Sequence, residues 1–212
     1  MVAQDFAVKL DAKYPTDITA DVQKGQSVAV FGVGGVGLSI ISGAASAGAD
    51  PIIAVDLEEE KLEFAKRFGA THGVNASRKD GVEGVRRLSD GGVDFAFDAI
   101  GAVKTMGQIL PAVRPSVMGL RTGGTAVLVG VPETDFSLNV REVIAGERKF
   151  MACIGSSSKP ERDFPRFLDA YDSGILKLEE LVTKRYRIEQ ANEAIHDLDL
   201  DRIAGRSIFL YG

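Results

Sequence analysis

The sequence has 212 residues, 45% of them hydrophobic, with one cysteine and a formal net charge of −5. The acidic balance argues against a nucleic-acid or anionic-membrane partner. A lone thiol, Cys153, excludes an internal disulfide and points to a reducing compartment, so a cytoplasmic protein is expected.

No run approaches ~18 uninterrupted apolar residues, so no membrane span is expected. Met1 to Lys13 lacks the apolar centre of a secretion signal. Residues 1–23 form an unassigned segment: Phe6 and Leu10 share a helical spacing, and Tyr14 to Asp17 suits a turn. The regular pattern starts after Lys24-Gly25-Gln26. Ser27 to Phe31 is a short apolar run ending at glycine, as a buried parallel strand requires. Val36 to Ala47 predicts a helix, stopped by Gly48 and Pro51, and Ile52 to Val55 a second strand. Glu58 to Phe68 predicts a helix with acids in its first turn, bases in its last, and Gly69 beyond.

The alternation continues with strands at Gly73 to Asn75, Val93 to Phe97, Thr125 to Val131 and Phe150 to Ile154. Helices are predicted around Val82 to Leu88, Met106 to Val113 and Val140 to Ala145. Strands alternating with helices imply an α/β fold: a doubly wound, parallel, six-stranded sheet with the Rossmann arrangement, over residues 24–155. A polar linker, Ser156 to Pro160, opens a short C-terminal α/β appendage over residues 156–212. Helices are expected there around Phe164 to Tyr171 and Ile188 to Leu198, and a strand at Ser207 to Leu210.

Gly32, Gly34 and Gly37 fit the spacing G-x-G-x-x-G between a strand and a helix. In a chain with 24 glycines the spacing alone is weak. Its context adds Asp56, 19 residues after Gly37, at the end of the next strand. Each residue has its own task in a dinucleotide site. Gly32 permits the tight turn, Gly34 lets backbone approach a pyrophosphate, and Gly37 lets the helix pack on the strand. Free N–H groups near Gly35 and Val36 would bind phosphate oxygens. Asp56 would accept from ribose hydroxyls and repel a 2′-phosphate, which favours NAD over NADP. The competing readings are a purely structural turn and a site for S-adenosylmethionine in a methyltransferase-like module.

Several stretches resemble the coenzyme domain of the zinc-type, medium-chain alcohol dehydrogenases. They are Gly25 to Gly37, Ala54 to Asp56, Lys66 to His72, Gly92 to Gly101 and Gly123 to Pro132. Asp169 to Leu210 resembles that family's C-terminal segment, which returns to its catalytic domain. The resemblance implies hydride transfer between an alcohol and NAD. It also implies that Lys61 reaches the adenosine ribose and that Ile100 is an apolar contact beside the cofactor. Val129 and Val131 would hold the nicotinamide carboxamide through their carbonyls, and Gly155 through its N–H. Arg206 would contact the pyrophosphate.

The family's zinc-bearing N-terminal domain has no counterpart in residues 1–20, and Cys153, His72 and His196 form no ligand-spaced set. No metal site is expected, no catalytic residue is assigned, and the chain alone should turn over little or no alcohol. A separate chain carrying the zinc domain is one expected partner, and a free-standing NAD-binding module is the non-enzymatic alternative. His72 and His196 are expected to be surface or structural, and Cys153 an inert thiol inside a strand. Asp98 is either a cofactor contact or a strand-end cap. Lys184, Arg185 and Arg187 suit a solvated face. The apolar run Phe150 to Ile154 has no charge or proline to blunt it. As an outer edge it is expected to pair with a second copy, together with Phe136 to Asn139.

Overall fold

The computed structural model describes residues 20–154, 159–200 and 202–211. The expected helix and turn before residue 20, the linker serines and Gly155 lie outside these. Six strands, β1 (Val28–Phe31), β2 (Ile52–Asp56), β3 (His72–Asn75), β4 (Phe95–Asp98), β5 (Thr125–Leu128) and β6 (Lys149–Ala152), form one sheet. Its order is β3-β2-β1-β4-β5-β6, and every pairing is parallel. This is the doubly wound order, and the switch point lies between β1 and β4.

Strand alternation builds two cores. Val28, Val30, Ile52 and Ala54 face one side, where they meet α1 (Gly35–Ser46) and α2 (Glu59–Lys66) through Leu38, Ile41 and Leu62. Ala29, Phe31, Ile53 and Val55 face the other, against α3 (Gly81–Leu88) and α4 (Val103–Ala112) through Val85 and Ile109. Ala20 and Val22, from the segment that carried no pattern, are buried in the first core. α5 (Val140–Ala145) then leads into β6 at the sheet's end.

At the strands' amino ends, Asp94 ties β1 to β4: it accepts from the Ser27 backbone N–H (2.8 Å) and hydroxyl (2.7 Å) and pairs with Arg114. Val93 lies outside β4 in an isolated bridge with Val113, so that strand starts two residues later than expected and ends one later, at Asp98. Cys153 lies just beyond β6, yet it is buried and its N–H continues the ladder to the Leu128 carbonyl at 3.0 Å.

The appendage contains α6 (Pro160–Asp172), α7 (Leu178–Leu181), β7 (Val182–Arg187), α8 (Ala191–Asp199) and β8 (Arg206–Leu210). β7 and β8 pair in parallel as a separate two-stranded sheet. On β7, Arg185 and Arg187 are exposed, as a solvated face requires, and Lys184 is half-buried. Tyr186 of the same strand is buried, and both the Tyr186 hydroxyl (2.7 Å) and the Lys184 ammonium (2.8 Å) donate to Asp197. The expected single helix from Ile188 is a 3-10 turn, Ile188–Gln190, followed by α8. Among the described residues, no helix is long and apolar enough to cross a membrane.

Candidate dinucleotide site

β1 ends at Phe31, and the chain turns at Gly32, whose φ is +87°. A side chain there would be strained, and its Cβ would overlap Ile100. Gly34 caps α1 with no side-chain hydrogen bond, and nothing lies within 4 Å of where its Cβ would stand. Gly35 and Val36 open the helix, so their N–H groups have no partner within it. Gly37 lies against the Gly32 carbonyl oxygen, where a Cβ could not fit. Arg206, the first residue of β8, crosses the same helix start, with its guanidinium in the space a Gly35 side chain would fill.

Asp56 ends β2 across from the loop. One carboxylate oxygen accepts the Val33 N–H at 2.9 Å; the other accepts those of Leu57 (2.8 Å) and Glu58 (3.2 Å). Three amides fix the carboxylate's direction, and lone pairs remain for a ligand's hydroxyls.

Between Asp56 and α4 lies a cavity of about 450 Å³. Gly32, Gly34, Asp56, Lys61 and Ile100 all line it. The volume is within the usual range for a small-molecule site. The motif carries no sign of Leu57, Ala76, Ala102, Lys104, Thr105 and Gln108, which also line it. The last three come from the first two turns of α4, where the 4-residue spacing of Lys104 and Gln108 is the one available hint.

Val129 and Val131 follow β5 and do not line this cavity. Val129 is buried, and its N–H donates to the Asp98 carbonyl at 2.9 Å. Val131 is exposed, and its carbonyl lies against Gly101. His72 is exposed at the start of β3, bonded to the Thr71 hydroxyl at 2.8 Å, and His196 is exposed on α8.

Asp98 is a strand-end cap. It is fully buried and accepts the N–H groups of Ile100 (3.0 Å) and Gly101 (3.1 Å). Burial pushes its carboxyl above the ordinary pKa of 3.8, against the opposing hydrogen bonds of Ile100, Thr105 and Gly101. Through the window between 3.8 and the raised value, the native state holds a proton that the unfolded chain has released. Stability from this group therefore falls as pH rises through that window, and its cost is complete above it. Asp98→Asn keeps a carbonyl for the two amides and removes the charge. The variant should match or exceed the wild-type Tm at pH 7 and lose that pH dependence. Thermal unfolding from pH 4 to 8 measures both; an unchanged slope would contradict the assignment.

Chemically, the loop offers amides and a guanidinium to an anion, and Asp56 and Lys61 offer an acceptor and a donor to a diol. Among the described residues, no three His, Cys, Asp or Glu side chains converge so as to hold a metal ion.

A family model described as zinc-binding dehydrogenase matches residues 35–173. The chain belongs to the zinc-binding dehydrogenase family. Members of that family among its curated relatives include an S-(hydroxymethyl)glutathione dehydrogenase of Saccharomyces cerevisiae. It is 35% identical over 93% of this chain and 56% of that protein. Alcohol dehydrogenase-like 2 of Arabidopsis thaliana is 34% identical over 91% of this chain and 50% of that protein. Among solved structures, benzyl alcohol dehydrogenase from Acinetobacter calcoaceticus superposes with a TM-score of 0.84. It shares 28% identity over 99% of this chain and 54% of that one. The chain thus spans about half the length of the dehydrogenases it matches.

Proposed function

We propose that this chain binds NAD and forms the coenzyme half of a zinc-type alcohol dehydrogenase. The observation that carries the reading is the start of α1, where Gly34 faces open space and the Arg206 guanidinium crosses Gly35. A pyrophosphate there meets free amides, the positive end of a helix and a fixed cation. Asp56 and Lys61 take the adenosine ribose. The backbone carbonyls of Val129 and Val131, just after β5, are the proposed holders of the nicotinamide carboxamide, with the Gly155 N–H as their partner.

Bound NAD supplies the hydride acceptor for alcohol oxidation. The chain's own part is to bind it, orient it and expose one nicotinamide face. The donors of a zinc site are not gathered by the described residues, so no polarisation of alcohol is assigned to them. A separate chain or segment carrying those ligands would complete the enzyme, and this chain alone is expected to turn over little or no alcohol.

Asp56 makes the coenzyme choice testable. NADH should bind about tenfold or more tightly than NADPH, because a 2′-phosphate loses the ribose hydrogen bond and meets a carboxylate. Asp56→Ala should narrow the gap. Fluorescence titration with both nucleotides measures it, and equal affinities in the unaltered chain would refute the assignment.

The free edge of β6 is the proposed contact for a homodimer. Lys149 and Cys153 turn their N–H groups inward to Gly124 and Leu128 (both 3.0 Å), so the alternate N–H of Ala152 faces the open side. Ala152→Pro then removes an edge donor and leaves the β5 pairing intact. Light scattering should find a dimer in the unaltered chain and a weaker one, by about tenfold or more for one lost hydrogen bond plus steric cost, in the variant. A chain that stays monomeric at high concentration would sink the proposal.

A further inference from the structure

We propose that Gln108 reads the adenine base of the dinucleotide through its carboxamide, an inference that rests on the NAD assignment above. Much of the cavity wall is apolar, with Val55, Ala76 and Ala99 in it. Leu57 and Ile100, each about half-exposed, also line it. An apolar slot of this kind accepts a flat ring without distinguishing one purine from another. Discrimination needs a hydrogen-bonding group at the ring's edge, one left unpaired when the wrong base enters.

α4 brings three polar residues to the same cavity wall. The Thr105 hydroxyl already donates to the Ala102 carbonyl at 3.0 Å and borders Asp98. Lys104 is exposed and can only donate. Gln108 is half-buried, one turn further along the same helix face, and no described residue hydrogen-bonds to its carboxamide. A carboxamide pairs an acceptor with a donor. On its N7 side adenine presents the complement, a 6-amino donor beside the bare N7, and glutamine is one of the two side chains that match it bidentately. Hypoxanthine presents two acceptors there, the 6-carbonyl and N7, which one carboxamide cannot both satisfy.

The test compares NADH with reduced nicotinamide hypoxanthine dinucleotide, in which a carbonyl replaces the 6-amino group. Nucleotide fluorescence reads the affinities of the wild-type chain, Gln108→Leu and Gln108→Glu, each checked for fold by circular dichroism. Wild type should favour NADH by about tenfold. Gln108→Leu should bind the two alike. Gln108→Glu should keep or widen the preference, because a carboxylate accepts from the amino group and repels the carbonyl. The same ratio in all three proteins, or no preference in wild type, overturns the role of Gln108 while leaving NAD binding in place. A wild-type chain that binds neither nucleotide overturns the NAD assignment itself, and this inference with it.

Discussion

Gly34→Val should sharply weaken NADH binding and leave the fold unchanged. The residue caps α1 with φ −73° and ψ −163°, an extended conformation open to any side chain. Its Cβ would meet nothing within 4 Å, so the empty protein has room for valine. That same room is where a pyrophosphate must come against the backbone. Affinity should fall by about 100-fold or more, equivalent to ~2.7 kcal/mol, while the circular dichroism spectrum and Tm stay at wild-type values. Undiminished NADH affinity in the folded variant would mean that the loop is only a turn.

Three residues on, the same substitution should have the opposite result. A Cβ at Gly37 would collide with the Gly32 carbonyl oxygen, a backbone atom that no rotamer change can move aside. Gly37→Val must push α1 away from the end of β1, in the centre of the sheet. The expected loss is about 3 kcal/mol, the upper part of the range for overpacking. For a chain of this length that lowers Tm by roughly 10 °C. Thermal unfolding without nucleotide measures it directly. A variant as stable as wild type would show that the close approach of helix to strand contributes nothing. Together the two valines separate the glycine needed for a ligand from the glycine needed for the fold.

The six-stranded sheet was legible because its signals are local. The central strands β1, β2, β4 and β5 are short apolar runs, and helices such as α2 carry their own stop, here Gly69. The loop and Asp56 were legible because a fixed spacing encodes a fixed geometry. β7 was not. Val182-Thr183-Lys184-Arg185-Tyr186-Arg187 has no apolar alternation, and it becomes a strand by pairing with β8 and burying Tyr186 alone. The α4 side of the cavity was equally hidden. Lys104, Thr105 and Gln108 are ordinary polar residues of an amphipathic helix, and only the packing of α4 against the sheet brings them beside Asp56. Ala20 and Val22 carry too little pattern to announce a place in the core.

The crossing of Arg206 over Gly35 joins the last described strand to the first helix. Contacts so distant along the chain form late, because a long loop must close before they return any energy. The Rossmann sheet can therefore assemble from neighbouring β-α units while the proposed phosphate cradle still lacks a cation. The appendage is also tied to the end of α2, by Arg67 to Glu180 (2.8 Å) and by the Lys177 ammonium to the Arg67 carbonyl (2.9 Å). Recovery of coenzyme affinity during refolding would then mark the final act of assembly, long after far-ultraviolet circular dichroism has registered the helices.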